Sequence, residues 1–244
     1  MRCALDLAIT VPTFERLHHQ RIAYVLNALN SQLLRQNQCL FAGGTAIALR
    51  YGEYRESVDM DFLVSDVACY RNLRQMLKSQ GIAALVRDDA NPLIQQREIR
   101  ADQYGIRTVL TVADQPVKFE IVLEGRITLA TPGAGDQVCD VATLRPLDMA
   151  ASKLLANSDR WADDSVFSRD VIDLAMMQPS PALLRQAVAK AESAYGKAIC
   201  QDLGKAINRL QERHGWLERC MQAMAMNLSK AEVWKNLRAL RKVL

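Results

Sequence analysis

The sequence is short of the features that would send a chain to or through a membrane. No 18-residue stretch is uniformly apolar, so nothing in it reads as a membrane-spanning helix and no membrane partner is expected. Its first residues lack a basic region followed by an apolar run and a small-residue cleavage site, so we expect no export and a cytoplasmic location. The six cysteines, at positions 3, 39, 69, 139, 200 and 220, include no C-x-x-C pair, and four fall in apolar-patterned segments. A chain of 244 residues does not need covalent staples, and these residues read as buried thiols in a reducing compartment rather than a disulfide frame or a zinc site. Two of the three histidines, His18 and His19, have no other ligand type at metal spacing and read as surface or half-buried packing residues. Repeats and low-complexity segments are also missing.

What is present is a chain that is half hydrophobic and about a quarter charged, enough for one large domain or two of ordinary size. The net charge of +4 is unevenly spread. Residues 180–244 hold 12 Lys and Arg against 5 Asp and Glu, whereas residues 1–179 hold 19 against 22. A basic tail behind a mildly acidic body suits a polyanionic substrate such as RNA, although solvated helix surface would give the same count.

The chemistry concentrates in Phe41-Ala42-Gly43-Gly44-Thr45 and in Arg55-Glu56-Ser57-Val58-Asp59-Met60-Asp61-Phe62-Leu63-Val64. In the second segment Val58, Met60, Phe62 and Val64 alternate with Asp59 and Asp61, the period of a strand that buries one face and presents two carboxylates on the other. Carboxylates at i and i+2 lie roughly 7 Å apart at Cα and repel each other unless a cation neutralises them. Mg²⁺, or Mn²⁺ in its place, suits two carboxylates because it takes its remaining ligands from water and phosphate. Gly43 and Gly44 lead into a helix over about 45–51, whose first free amides can receive phosphate. Glycines beside a metal site fit a nucleoside triphosphate.

Elsewhere the pattern predicts a helix capped by Thr13 and running to Gln38, and a short strand over 39–42. A helix over about 67–79 is capped by Ser65 or Asp66 and ended by Gly81. Strands are predicted over 82–88, 94–101, 105–112 and 117–123, the last two forming a hairpin around Asp114-Gln115-Pro116. In the last strand Val117, Phe119 and Ile121 face one way and Lys118, Glu120 and Val122 the other. Were it to lie beside the Asp59/Asp61 strand, Glu120 could join the carboxylate pair; an exposed strand carrying one Lys and one Glu is the alternative. After a loop-rich crossover over 124–142, Thr143 and Pro146 open a helix to Asn157 that contains Lys153, followed by Arg160 and Ser168-Arg169-Asp170-Val171-Ile172-Asp173. Helices follow over 181–194, capped by Ser180, and over 197–213, 215–226 and 230–242. Trp216 and Trp234, spaced with Leu and Met, read as core, with base stacking as the alternative.

Gly-Gly-Thr, then Arg-x-Ser-x-Asp-x-Asp, a later Glu on an apolar strand and a distal Lys, Arg-Asp and second Asp together resemble the nucleotidyltransferase superfamily, and within it the AbiEii/AbiGii toxin family of bacterial abortive-infection and toxin–antitoxin pairs. The resemblance implies an α/β (α+β) fold, with a mixed sheet flanked by helices over 1–142 as the catalytic domain and a helical bundle over 143–244. It implies that Asp59, Asp61 and Glu120 hold metal, and that Gly43, Gly44, Thr45, Arg55, Ser57 and Lys153 meet the nucleotide. Arg55 would neutralise phosphate or hold the carboxylates, Ser57 would bind phosphate or orient its loop, Lys153 would offset leaving-group charge, and Asp170 and Asp173 would orient Lys153 or Arg169 by ion pairing. The expected activity is transfer of a nucleoside monophosphate to the 3′ end of tRNA or another RNA, with a cognate antitoxin as partner. A protein hydroxyl or a small molecule as acceptor, or an inactive nucleotide- or RNA-binding module, remain the other readings.

Overall fold

The structure, a computed structural model, describes residues 14–244. α1 (Leu17–Ala28) and α2 (Ser31–Gln36) stand where a single helix to Gln38 is expected. The break has a local cause: Leu29 is extended and bridges Val86, and the Asn30 side chain accepts the Leu33 amide as the cap of α2. Thr13, the expected cap of the first helix, lies outside the described residues.

β1 (Leu40–Ala42) runs directly into α3 (Gly43–Arg50), and β2 (Asp59–Val64) follows a loop. α4 (Val67–Gln80) is capped by Asp66, whose carboxylate accepts the Cys69 amide at 2.7 Å, and it stops at Gly81. Segment 82–88 is not a strand. Gly81–Leu85 is a 3-10 turn that buries Ile82 and Leu85 at i and i+3, a spacing that a strand would put on opposite faces. Segment 94–101 holds two short strands, β3 (Ile94–Gln95) and β4 (Arg100–Ala101), both antiparallel to β5 (Gly105–Val112).

β5 and β6 (Gln115–Leu123) form the expected hairpin, but its turn is Ala113-Asp114, at φ 47° and 57°. Gln115 and Pro116 already pair with Val112 and Thr111. Two successive residues at positive φ match the right-handed twist of a tight hairpin, here without glycine. The 124–142 crossover contains a small hairpin, β7 (Gln137–Val138) and β8 (Val141–Ala142). α5 (Pro146–Arg160) carries proline in its first turn, yet Thr143 does not cap it: that hydroxyl accepts from Arg50 Nη1 at 2.7 Å.

α6 (Arg169–Met176), α7 (Pro181–Tyr195), α8 (Ala198–Glu212), α9 (Trp216–Ala223) and α10 (Lys230–Ala239) complete the chain, with Ser180 capping α7. Trp216 is buried in this region, its indole N–H donating to Ser168 Oγ at 3.0 Å, and Trp234 packs half-buried against the core. Of the five described cysteines, all free thiols, Cys39, Cys139 and Cys220 are buried while Cys69 and Cys200 are only partly so.

The main sheet has the order β1-β2-β6-β5-β3, with β4 also on β5; β2 and β6 are parallel and the other pairs antiparallel. One face carries Met60, Phe62, Val64, Val117, Phe119 and Ile121 into the core, where the rings of Phe41, Phe62 and Phe119 follow one another at 5.4 and 5.1 Å. Val58, expected on that face, precedes the strand and is 44% exposed. The opposite face presents Asp59, Asp61, Lys118 and Glu120. α3 packs on α5 and α6, and α5 on α7 and α8, so the helices after the sheet close one wall of a cleft over that polar face. The result is a mixed α/β fold, a central mixed sheet flanked by helices and followed by a C-terminal helical region. Among the described residues no helix is long and apolar enough to cross a membrane.

Candidate active site

The cleft, about 430 Å³, is lined from the sheet side by Gly43, Gly44, Thr45, Arg55, Ser57, Asp59 and Asp61 and from the helical side by Lys153, Arg160, Arg169 and Asp170. Asp173 and Glu120 stand behind these linings, Asp173 fully buried and Glu120 on the neighbouring strand in register with Asp61. Thus residues far apart in the chain meet at one corner of the sheet.

The glycine pair is required by contact. Gly43 has φ 71°, and a Cβ there would run into the carboxylate of Asp61. A Cβ on Gly44 would strike the Arg55 guanidinium and come within 3.0 Å of Asp173 Oδ2. The first turn of α3 therefore lies flat between the carboxylate strand and a buried ion pair. Among the described residues no side chain caps this helix, so its leading amides have no side-chain acceptor at the end that lines the cleft.

A hydrogen-bonded chain holds the loop before β2. His19, fully buried on α1, accepts the Ser57 amide at Nε2 (3.1 Å) and donates from Nδ1 to Glu53 Oε1 (2.6 Å), which fixes its tautomer. Burial holds the imidazole below its ordinary pKa despite the Glu53 partner, consistent with a neutral ring that accepts from Ser57. Ser57 Oγ lies 2.8 Å from Thr45 Oγ1, and Thr45 donates to the Asp59 carbonyl. His19, read from the sequence as a surface or half-buried packing residue, is thus a strut for the loop before β2.

Lys153 does not stand free. Its ammonium, nearly buried, sits 2.9 Å from Asp170 Oδ1 and 2.7 Å from Asp173 Oδ2. Arg55 grips Asp173 with two hydrogen bonds, at 2.7 and 2.9 Å, Tyr54 donates to the same carboxylate at 2.6 Å, and Arg160 pairs with Asp170. Burial alone would raise both aspartates; Arg55 and Lys153 at Asp173, and Lys153 and Arg160 at Asp170, more than offset it and hold both carboxyls below the usual range. Arg169, on the same helix, lines the cleft and makes no ion pair among the described residues. The sequence offered a sign of it, since Arg169 precedes Asp170 and must leave the helix in a different direction.

Asp61 shows the opposite electrostatics. Burial, then the nearby Asp59 and Glu120, push its carboxyl up to about 6, with Lys153 and Arg169 opposing. Such a carboxylate invites a cation. Among the described residues, however, no group of three or more His, Cys, Asp or Glu converges as a cage. The reason is visible: Glu120 turns to Arg107, 2.6 Å from its Nε, and Lys118 Nζ lies 3.6 Å from Asp59. The donor set fits an open two-carboxylate site at Asp59 and Asp61, of the kind that completes a Mg²⁺ shell with phosphate and water.

The sequence model described as "Nucleotidyl transferase AbiEii toxin, Type IV TA system" matches residues 24–239. Among solved structures, a candidate nucleotidyltransferase from Helicobacter pylori superposes with a TM-score of 0.51 at 15% identity, covering 93% of this chain and 94% of that one. JHP933 from Helicobacter pylori superposes with a TM-score of 0.51 at 14% identity, covering 95% of each chain. At such identities these two likenesses speak for the fold. No curated protein matches the sequence. The match over most of the chain, on a fold shared with these structures, makes this protein a member of the AbiEii nucleotidyl transferase toxin family.

Proposed function

We propose that the protein is a metal-dependent nucleotidyltransferase that moves a nucleoside monophosphate from a nucleoside triphosphate to an acceptor hydroxyl, with the 3′ end of tRNA as acceptor, and that it serves as the toxin of a pair with a cognate antitoxin. The observation that carries this reading is the cleft itself, with Asp59 and Asp61 side by side on one wall and Arg169, which has no ion-pair partner among the described residues, on the other. Carboxylates on one wall and a guanidinium on the other suit a polyphosphate with metal on one flank and direct ion pairing on the other.

Asp59 and Asp61 would hold Mg²⁺ or Mn²⁺, which when bound supplies charge neutralisation at the phosphates and lowers the pKa of a nearby hydroxyl. The acceptor oxygen attacks the α-phosphorus, a new P–O bond forms, the α–β bridge breaks and pyrophosphate leaves. Arg169 and the leading amides of α3 offset charge on the transferred and leaving groups. Glu120, on the row beside Asp61, takes the acceptor proton once Arg107 releases it. Lys153, Arg55, Asp170 and Asp173 act as positioning residues, fixing α6 and the Arg55–Ser57 loop around the triphosphate.

The test is to incubate the full chain with Mg²⁺, each α-labelled nucleoside triphosphate in turn, and a mixture of total RNA and lysate protein. Label in RNA supports the reading. Label in protein moves the acceptor to a protein hydroxyl, and no transfer with any nucleotide or metal overturns it.

A further inference from the structure

The strand register draws a single line across the polar face of the sheet. Asp61 on β2 is opposite Glu120 on β6, Glu120 opposite Arg107 on β5, and Arg107 opposite Arg100 on β4. Residues directly opposite on paired strands share a face, and neighbouring strands are about 5 Å apart. The line therefore passes from two carboxylates to two guanidiniums in about 15 Å.

Arg107 has a built seat. A Cβ on Gly105 would meet its guanidinium at 2.8 to 3.2 Å, so the guanidinium lies over bare glycine backbone on the face of the row. From that seat Arg107 reaches Glu120 at 2.6 Å and Asp102 at 3.4 Å while half of its side chain stays in solvent. Arg100 is exposed as well. Tyr104, in the turn that joins β4 to β5, is 66% exposed, with its carbonyl fixed by the Leu123 amide. Across Asp102, Arg74 of α4 donates to that residue's carbonyl, and the same helix carries exposed Arg71 and Lys78.

We infer that the β4–β5 hairpin, with Arg100, Arg107 and Tyr104, is the binding site for the acceptor, and that the acceptor is a single-stranded nucleic-acid end whose last phosphates lie over the two arginines. The inference rests on the nucleotidyl-transfer reading for the word acceptor, and on the row alone for the ligand class. A terminal hydroxyl at Asp61 and Glu120 places the adjoining phosphates further along the same line, where forked guanidiniums match phosphate oxygens. An exposed ring on the same hairpin suits an unpaired base, which stacks where a paired one cannot. An acidic peptide would use the arginines but not the ring. The basic surplus of residues 180–244 is not needed for this contact.

The experiment measures binding of a labelled mixed-sequence single-stranded RNA oligonucleotide by fluorescence anisotropy, without nucleotide, from 50 to 300 mM salt. Arg100→Ala/Arg107→Ala should weaken binding about tenfold or more and flatten the log–log salt slope by about 1.4, the share of two single-strand phosphates. Arg100→Lys/Arg107→Lys should keep the slope. Tyr104→Ala should weaken binding at least fivefold with the slope unchanged. Lys235→Ala/Arg238→Ala on α10 should do neither, and thermal melts report that each variant is folded. Unchanged slope in the alanine pair, equal loss in the α10 pair, competition by poly-glutamate as strong as by unlabelled RNA, or no binding by the wild type each overturns the inference. Nucleotidyl transfer is assayed apart, so a protein that binds the strand through this row and transfers nothing would refute the activity and leave the row standing.

Discussion

Lys153 Nζ lies 2.7 Å from an Asp173 oxygen that Arg55 also holds, inside the wall of the cleft rather than in its opening. Removing the ammonium leaves two buried carboxylates with too little positive charge. Lys153→Ala should therefore destabilise the fold, by about 3–5 kcal/mol, the range for breaking a buried ion pair. Chemical denaturation reads this directly; a variant as stable as wild type would mean that Lys153 is free to serve the nucleotide instead.

Arg169 carries the opposite expectation. Since it has no ion-pair partner among the described residues, Arg169→Ala should leave stability within about 0.5 kcal/mol. It should weaken nucleoside triphosphate binding by tenfold or more, with a smaller effect on the monophosphate. Calorimetric titration with both nucleotides checks the contrast.

Gly43→Ala and Gly44→Ala should fail differently. At Gly43 the new methyl displaces the Asp61 carboxylate, so Mn²⁺ binding followed by electron paramagnetic resonance should drop beyond any loss of stability. At Gly44 it pushes Arg55 off Asp173, and the loss should be in the melting temperature. Metal binding retained in Gly43→Ala would contradict the close approach.

Asp61 gives the pH dependence. Its folded pKa of about 6 lies above the ordinary 3.8, so the fold favours the protonated form. In metal-free protein this group's contribution to stability is fully present below about pH 4 and is lost as pH rises through about 6. Asp61→Asn, a neutral isostere, should therefore stabilise the metal-free protein at pH 7.5 by about 3 kcal/mol, and by well under about 1 kcal/mol at pH 4. Metal affinity of the wild type should fall as pH drops below about 6, because the cation must displace a proton. A gain from Asn that is independent of pH would contradict the shift.

Much of this site was legible in the sequence because strand alternation is a local signal. Met60, Phe62 and Val64 against Asp59 and Asp61, and Val117, Phe119 and Ile121 against Glu120, declare their faces without knowledge of their neighbours. The register that sets Asp61 opposite Glu120 is not local, and neither is the pairing of Glu120 with Arg107. The pairing of Lys153 with Asp170 and Asp173 was legible from the motif, but its burial was not, because Tyr54 and Arg55 close on Asp173 from a loop more than a hundred residues earlier. His19 looked like packing because its partners, Glu53 and Ser57, come from a loop. The Ala113-Asp114 turn was hidden for a different reason: positive φ without glycine leaves no mark in composition, while Pro116 drew the turn toward itself.

In the proposed reaction Asp59 and Asp61 together hold the metal at the site of nucleotidyl transfer. The most direct measurement is transfer of an α-labelled nucleoside monophosphate to RNA in Mg²⁺ by the wild type and by Asp59→Asn/Asp61→Asn, with both shown folded by circular dichroism. The wild type should place covalent label in RNA and the variant at least a thousandfold less, about 4 kcal/mol of lost transition-state stabilisation. Equal labelling by a folded variant would contradict that role.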